Sequence, residues 1–149
     1  MNTGVKEQDV LGALSGAVHL AVYKNGKLLF KETDHNLIVT TGREKLAQLL
    51  GGDYTGRITK VGVGTGSTPA SDTDTGLTDA VLIPVQSTEY AGTKARFNFT
   101  LGNADANGLL IRELGLFFAD GTMFSRRVRK SIIGKESDIS ITGYWEIYF

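Results

Sequence analysis

The sequence contains no cysteine and only two prolines in 149 residues. Without thiols there is no disulfide framework, no thiolate zinc site and no thiol nucleophile. The same lack is compatible with any compartment. Histidine is nearly missing too: His19 and His35 are too few for a histidine-rich metal site. Net charge is absent, with 16 Lys and Arg against 16 Asp and Glu. That balance removes a general electrostatic grip on nucleic acid or on an anionic membrane surface. No stretch approaches the ~18 apolar residues of a membrane-spanning helix, and Met1 to Asp9 lacks the basic-then-apolar order of a signal peptide. What the chain does have is 19 glycines and 41% apolar residues, over a length that suits one domain with a real core.

The apolar residues are arranged for strands. The first sixteen residues mix glycines with scattered apolar side chains and show no period, so residues 1–16 are expected to form a flexible or partner-bound arm. Ala17 to Tyr23 is apolar apart from His19, and Asn25-Gly26 then supplies the two positive-φ positions of a type I′ hairpin turn. Leu28 to Thr33 is the returning strand, Asp34-His35 a turn, and Asn36 to Val39 another extended run. Only Gly42 to Leu50 reads as a helix. Thr41 and Glu44 are spaced for a capping box, Leu46, Leu49 and Leu50 for one apolar face, and Gly51-Gly52 for a left-handed stop.

Ile58, Val61 and Val63 begin the next strand, which runs into a long polar loop from Gly64 to Gly76. Loops of that length are usually functional or disordered. Val81 to Gln86 carries Pro84, which places it at a sheet edge. Phe97, Phe99 and Leu101 alternate, and so do Ile139, Ile141, Gly143, Trp145, Ile147 and Phe149. The sum is mainly β: an antiparallel β-sandwich-like domain over 17–149, of about eight strands, with one short α-helix at 42–50.

Searches for chemistry end empty. The run Val61 to Thr68 is rich in glycine but has no Lys for a P-loop, and Ser67 and Pro69 break the dinucleotide fingerprint. No nucleophile-elbow pattern marks a serine. Asp72 and Asp74 lack the further ligands and terminal Glu of a calcium loop. No catalytic residue, cofactor or metal ligand is therefore assigned, and an enzyme is not expected. Arg126, Arg127, Arg129 and Lys130, with Lys135, form the one basic cluster, with Arg127 and Arg129 expected on one side of a strand and Arg126 and Lys130 on the other. The cluster suits a solvated edge that blocks strand pairing or a salt-bridging contact with a partner protein. Arg112-Glu113 interrupts an apolar strand, so one of the two faces inward and needs a partner on a neighbouring strand.

Two segments carry a resemblance. One is Asn36-Leu37-Ile38-Val39-Thr40-Thr41-Gly42-Arg43-Glu44-Lys45-Leu46-Ala47, followed by Ile58 to Gly66. The other runs Leu110-Ile111-Arg112-Glu113-Leu114-Gly115-Leu116-Phe117-Phe118-Ala119-Asp120-Gly121-Thr122-Met123-Phe124. In that order they resemble tailed-bacteriophage structural proteins, above all the amino-terminal attachment region of tail-collar and tail-fibre proteins. The resemblance covers residues 36–130 and implies no catalytic residues. The chain departs from that pattern in its Ala17–Thr33 hairpin and in lacking a long repetitive shaft, so the expectation is a stand-alone virion component, an attachment or connecting module of tail, baseplate or collar. Such a module assembles with other virion proteins and with itself, as a trimer or higher ring, with no specific nucleic acid and no membrane as partner.

The contact residues expected on this reading are Val5, Val10, Leu11 and Leu14 in the arm, Thr68, Asp72, Asp74 and Thr75 in the loop, and the basic edge Arg126, Arg127, Arg129 and Lys130. Two alternatives stand beside it. One is a head decoration, or cement, protein. The other is a carbohydrate-binding β-sandwich using Tyr144 and Tyr148, with Trp145 on the core side.

Overall fold

A computed structural model describes residues 14–149. They form ten strands and one helix: β1 (Ser15–Lys24), β2 (Lys27–His35), β3 (Leu37–Ile38), α1 (Thr40–Gly51), β4 (Ile58–Gly64), β5 (Val81–Pro84), β6 (Ser87–Ala91), β7 (Lys94–Leu101), β8 (Leu110–Phe118), β9 (Met123–Gly134) and β10 (Ile139–Tyr148). Two five-stranded antiparallel sheets pack together, in the orders β2-β1-β10-β7-β6 and β3-β9-β8-β4-β5. We call them sheet A and sheet B.

Alternation decides which side of each strand is buried. In sheet A, Val18, Leu20 and Val22 of β1, Phe97, Phe99 and Leu101 of β7, and Ile141, Trp145 and Ile147 of β10 enter the core. Sheet B answers with Val61 and Val63 of β4, Leu114, Leu116 and Phe118 of β8, and Phe124 of β9. Trp145 is fully buried, and Phe118 meets Phe124 edge-to-face at 5.7 Å. Each large apolar side chain removed from water in this way contributes roughly 1.5–3 kcal/mol.

The hairpin signals are borne out. Asn25 and Gly26 both have positive φ, 49° and 78°, between β1 and β2, and Gly121 at 91° closes the β8–β9 turn. Val81–Pro84 is an edge strand, as its proline requires.

Several expectations are corrected. β1 begins at Ser15, because Ser15 and Gly16 extend the ladder opposite Tyr148 and Ile147. Ser15 and Gly16 therefore belong to the domain, not to the arm. His35 lies on β2, not in a turn. The helix starts at Thr40, and the capping box does not form: Val39 is the cap residue and makes no side-chain cap bond. Thr41 Oγ1 instead donates to the Met123 carbonyl at 3.0 Å, tying α1 to β9. Leu46 and Leu49 pack on the core while Leu50 is 93% exposed. Gly52, at φ 86°, makes the left-handed stop. β6 has no counterpart in the sequence reading, because Ser-Thr-Glu-Tyr-Ala at a solvated edge lacks an apolar side to alternate with.

Gly42 is where α1 crosses β9. A Cβ there would stand 2.5 Å from the Phe124 carbonyl oxygen and 2.8 Å from its Cα, and backbone cannot swing aside. Gly51, near the other end of α1, has open space around it. The pair makes an internal contrast. Gly42→Ala is expected to destabilise by about 1–3 kcal/mol through overpacking. Gly51→Ala is expected to stabilise by about 0.5–1 kcal/mol through helix propensity. Urea denaturation of both variants, with unchanged m-values, checks the difference in sign.

Candidate functional site

Glu113 is the buried residue of the Arg112-Glu113 pair, 1% exposed, on the face of sheet B turned away from the core side chains of Leu114 and Leu116 and covered by the long loop. Its carboxylate takes three donors. Arg126 Nε on β9 reaches Oε1 at 2.9 Å, while the backbone N–H groups of Gly66 and Thr78 reach Oε2 at 2.7 and 2.8 Å. The expected ion pair with a neighbouring strand is thus present. Arg126 then extends outward: Nη1 pairs with Asp74 at 2.8 Å and Nη2 donates to the Thr68 carbonyl at 2.9 Å. The long polar loop is thereby held at Gly66, Thr68, Asp74 and Thr78. Asp72 adds its carbonyl as the acceptor for Thr40 N–H at 2.8 Å.

The structure brings Thr68, Asp74 and Arg126 into contact with one another. Val5, Val10 and Leu11 lie outside the described residues. Leu14 is half-buried against the core, and Thr75 is exposed. Arg126 and Arg129, read as edge cations for solvent or a partner, are both only 4% exposed, because carboxylates meet them inside the fold. Arg129 grips Glu32 of β2 with two bonds of 2.8 Å, and Arg127 pairs with Asp34 of β2 at 2.9 Å. Lys130 is exposed and pairs with no carboxylate among the described residues.

The expected two-sided alternation holds for Arg126, Arg127 and Arg129: Arg127 stands opposite the core residue Leu114 and, like Arg129, reaches a carboxylate of β2, while Arg126 stands opposite Gly115 and reaches Glu113 and the loop on the other face. The ladder then slips. Ile111 stands opposite Ile133 and Glu113 opposite Val128, so residues 129–132 of β9 face the single residue Arg112. This arch is fastened by Arg112 Nε donating to the Arg129 carbonyl at 2.7 Å, and by Arg129 Nη1 donating to the Ser131 carbonyl.

A second polar cluster, not read from the sequence, lies on the outer side of sheet A. Glu146 of β10 is 4% exposed despite lying on the solvent side. Arg96 Nε and Lys94 Nζ approach its Oε2 at 2.9 and 3.1 Å, and Tyr148 Oη donates to Oε1 at 2.7 Å. His19 Nε2 stands 3.4 Å from Oε1, an ion-pair distance without hydrogen-bond geometry. Burial alone would raise the Glu146 pKa. The bonds from Tyr148, Arg96 and Lys94 outweigh it and hold the carboxyl at about 2. The same neighbourhood, burial first and Glu146 second, pushes Tyr148 up to about 12.

Tyr144 is flanked by His19 of β1, stacked at 4.2 Å, and by Arg96 of β7, with its guanidinium carbon 4.0 Å from the ring centre. A tyrosine so flanked offers little ring face to a sugar. The only sequence signal for this cluster was the shared side of Tyr144, Glu146 and Tyr148. Its cations sit on strands whose pairing the sequence did not reveal.

Lys135, expected with the basic cluster at a solvated edge, lies inside the fold instead. It is fully buried, donating to Asn107 Oδ1 at 2.8 Å and the Glu136 carbonyl at 3.0 Å, and burial lowers its pKa. It fastens the 102–109 connection. No group of three His, Cys, Asp or Glu side chains able to hold a metal ion occurs among the described residues.

Compared with protein-family models, curated proteins and solved structures, the chain matches none of them. The functional reading therefore stands on the residues themselves.

Two outcomes follow from these clusters. Glu113→Ala should cost about 3 kcal/mol, the low end of the range for breaking a buried ion pair because Asp74 still neutralises Arg126. In the same variant the 65–80 segment should become cleavable in limited proteolysis, since its N–H groups lose their acceptor. Glu146 has a folded-state pKa below its ordinary 4.5, so its stabilisation is complete above that value and is lost as pH falls through about 2. Glu146→Gln should lower stability at neutral pH by on the order of 2–3 kcal/mol and flatten the acid limb of the stability curve. Thermal melts between pH 2 and 7 measure both effects.

Proposed function

We propose that this chain is a structural protein of a tailed-bacteriophage virion. In this reading it is an attachment or connecting module of tail, baseplate or collar that resides in the virion and acts by binding copies of itself and neighbouring virion proteins. The segments that carry the resemblance support the reading in a particular way. Residues 36–47 cross the end of residues 110–124 at Gly42 against Phe124, and Gly66 donates to Glu113. They are the frame of the fold, so the resemblance speaks to the architecture and another feature must speak to contact.

That feature is the free edge of sheet A, and it is the observation that carries the reading. β2 has β1 on one side and no strand on the other among the described residues. Leu28, Leu29 and Phe30 stand on it 49%, 53% and 36% exposed. Val22 is opposite Phe30 and Tyr23 opposite Leu28, so Leu29 bulges out of the ladder without a partner across from it. An edge strand with consecutive apolar residues is an invitation to association. Further along β2, Glu32 and Asp34 point inward to their arginines, which confines that invitation to the Leu28–Phe30 end. A closed assembly, a trimer or higher ring, buries such an edge without growing into a fibre.

Light scattering on the purified chain should give a discrete oligomer, and Leu29→Lys should return it to monomer with a melting temperature within a few degrees of the parent. A monomer at every concentration, together with absence from purified particles by mass spectrometry, would refute the proposal. Binding to purified tails in preference to empty heads separates a connecting module from a head decoration protein.

A further inference from the structure

We infer that the hollow between residues 67–70 and β9 is a binding site for an oxyanion, taking a phosphate or a carboxylate group. It has a volume of about 480 Å³, within the range of small-ligand sites. Of its twelve lining residues five are cations, Arg112, Arg126, Arg127, Arg129 and Lys130, and none is Asp or Glu. The carboxylates that neutralise three of these arginines, Glu113, Asp34 and Glu32, reach them from outside the hollow. The wall therefore shows positive charge while the compensating negative charge stays behind it.

Donors without acceptors converge on the same place. Arg112 uses its Nε on the Arg129 carbonyl, and its terminal amino groups have no protein acceptor among the described residues. Lys130 Nζ has none either. Arg127 Nε is buried without a partner. A phosphate or carboxylate brings several acceptor lone pairs to one point and fits the fork of a guanidinium. Other ligand classes fit less well. A metal cation would meet Arg and Lys and no Asp or Glu. A nucleobase would find no Phe, Tyr or Trp among the lining residues to stack on. The β9 arch is what makes the hollow, because it sets Arg129 and Lys130 against Arg112. The inference is independent of the assembly reading and survives its failure.

The test uses the full chain, titrated at constant ionic strength with inorganic phosphate and, separately, with succinate. The arginine Nε–Hε resonances are followed by NMR, with sodium chloride as the screening control. Saturable shifts at Arg112 and Arg127 are expected, with affinity weakened at least fivefold in Arg112→Gln and in Lys130→Gln and unchanged in Lys24→Gln. Tighter saturation by phosphate assigns a phosphate group, and tighter saturation by succinate a carboxylate. Shifts that never saturate, that chloride reproduces, or that survive Lys130→Gln would overturn the inference. Lys130 is exposed, so its variant decides the matter even where Arg112→Gln fails to fold.

Discussion

A carboxylate shut between a sheet and the loop that covers it loses its water, and the loss costs several kcal/mol per ion unless donors replace it. Glu113 meets that demand from three directions: a guanidinium on the adjacent strand and two backbone N–H groups from the far side of a long loop. Much of the molecule is shaped by this arrangement. The loop must approach until its backbone touches the carboxylate, and at positions 64 and 66 only glycine permits that. A Cβ at Gly66 would lie 2.5 Å from Oε2, and one at Gly64 would lie 2.7 Å from it. The glycine run that resembles a phosphate cradle in the sequence is thus a cradle for the protein's own carboxylate. A pair of apolar residues at positions 113 and 126 could be as stable, but it could not hold a polar loop by its backbone.

Charge performs a second task at the margins of the sheets. Glu32 and Asp34 of β2 stand opposite Leu20 and Val18, whose side chains are in the core, so both carboxylates point into the sandwich at its open side. Arg129 and Arg127 of β9 meet them there. Ion pairs in place of apolar packing close that side. Inward-pointing charge is also one of the ways in which sheet edges resist unwanted pairing. The same ladder leaves the start of β2 apolar and uncovered. The contrast between the two ends of one strand is the reason for reading its exposed end as a contact surface.

How much of this was legible follows from the range of the interactions. Alternating strands, the Asn25-Gly26 turn, the Pro84 edge and the core position of Trp145 depend on neighbours in sequence, and all appear as expected. The requirement that Glu113 find a partner was legible as well, since burial of a charge demands one wherever it lies. The identity of its donors was not: Gly66 and Thr78 are 47 and 35 residues away. The capping box failed for a related reason. Thr41 had a better acceptor in Met123, 82 residues on, and local spacing carries no information about such a competitor. β6 stayed hidden because an edge strand exposed on both sides has no pattern to show.

The basic run shows most clearly how composition misleads about charge. Alternation divides Arg126 from Arg127 and Arg129 as expected, yet each is paired instead of solvated, because carboxylates stand on both sides of the strand. The arch at residues 129–132 then turns the strand through bonds the run makes to itself and to Arg112. Cations from both sides of this stretch line one hollow, and repulsion among them must be relieved. Internal carboxylates relieve it for Arg126, Arg127 and Arg129. Nothing of that kind reaches Arg112 or Lys130 among the described residues. Like charges held close by a rigid backbone raise the affinity for any anion placed between them, because binding removes a repulsion that the fold itself maintains. The hollow therefore owes its two uncompensated cations to the slip in register, and its neutralised ones to carboxylates that other ladders put in place.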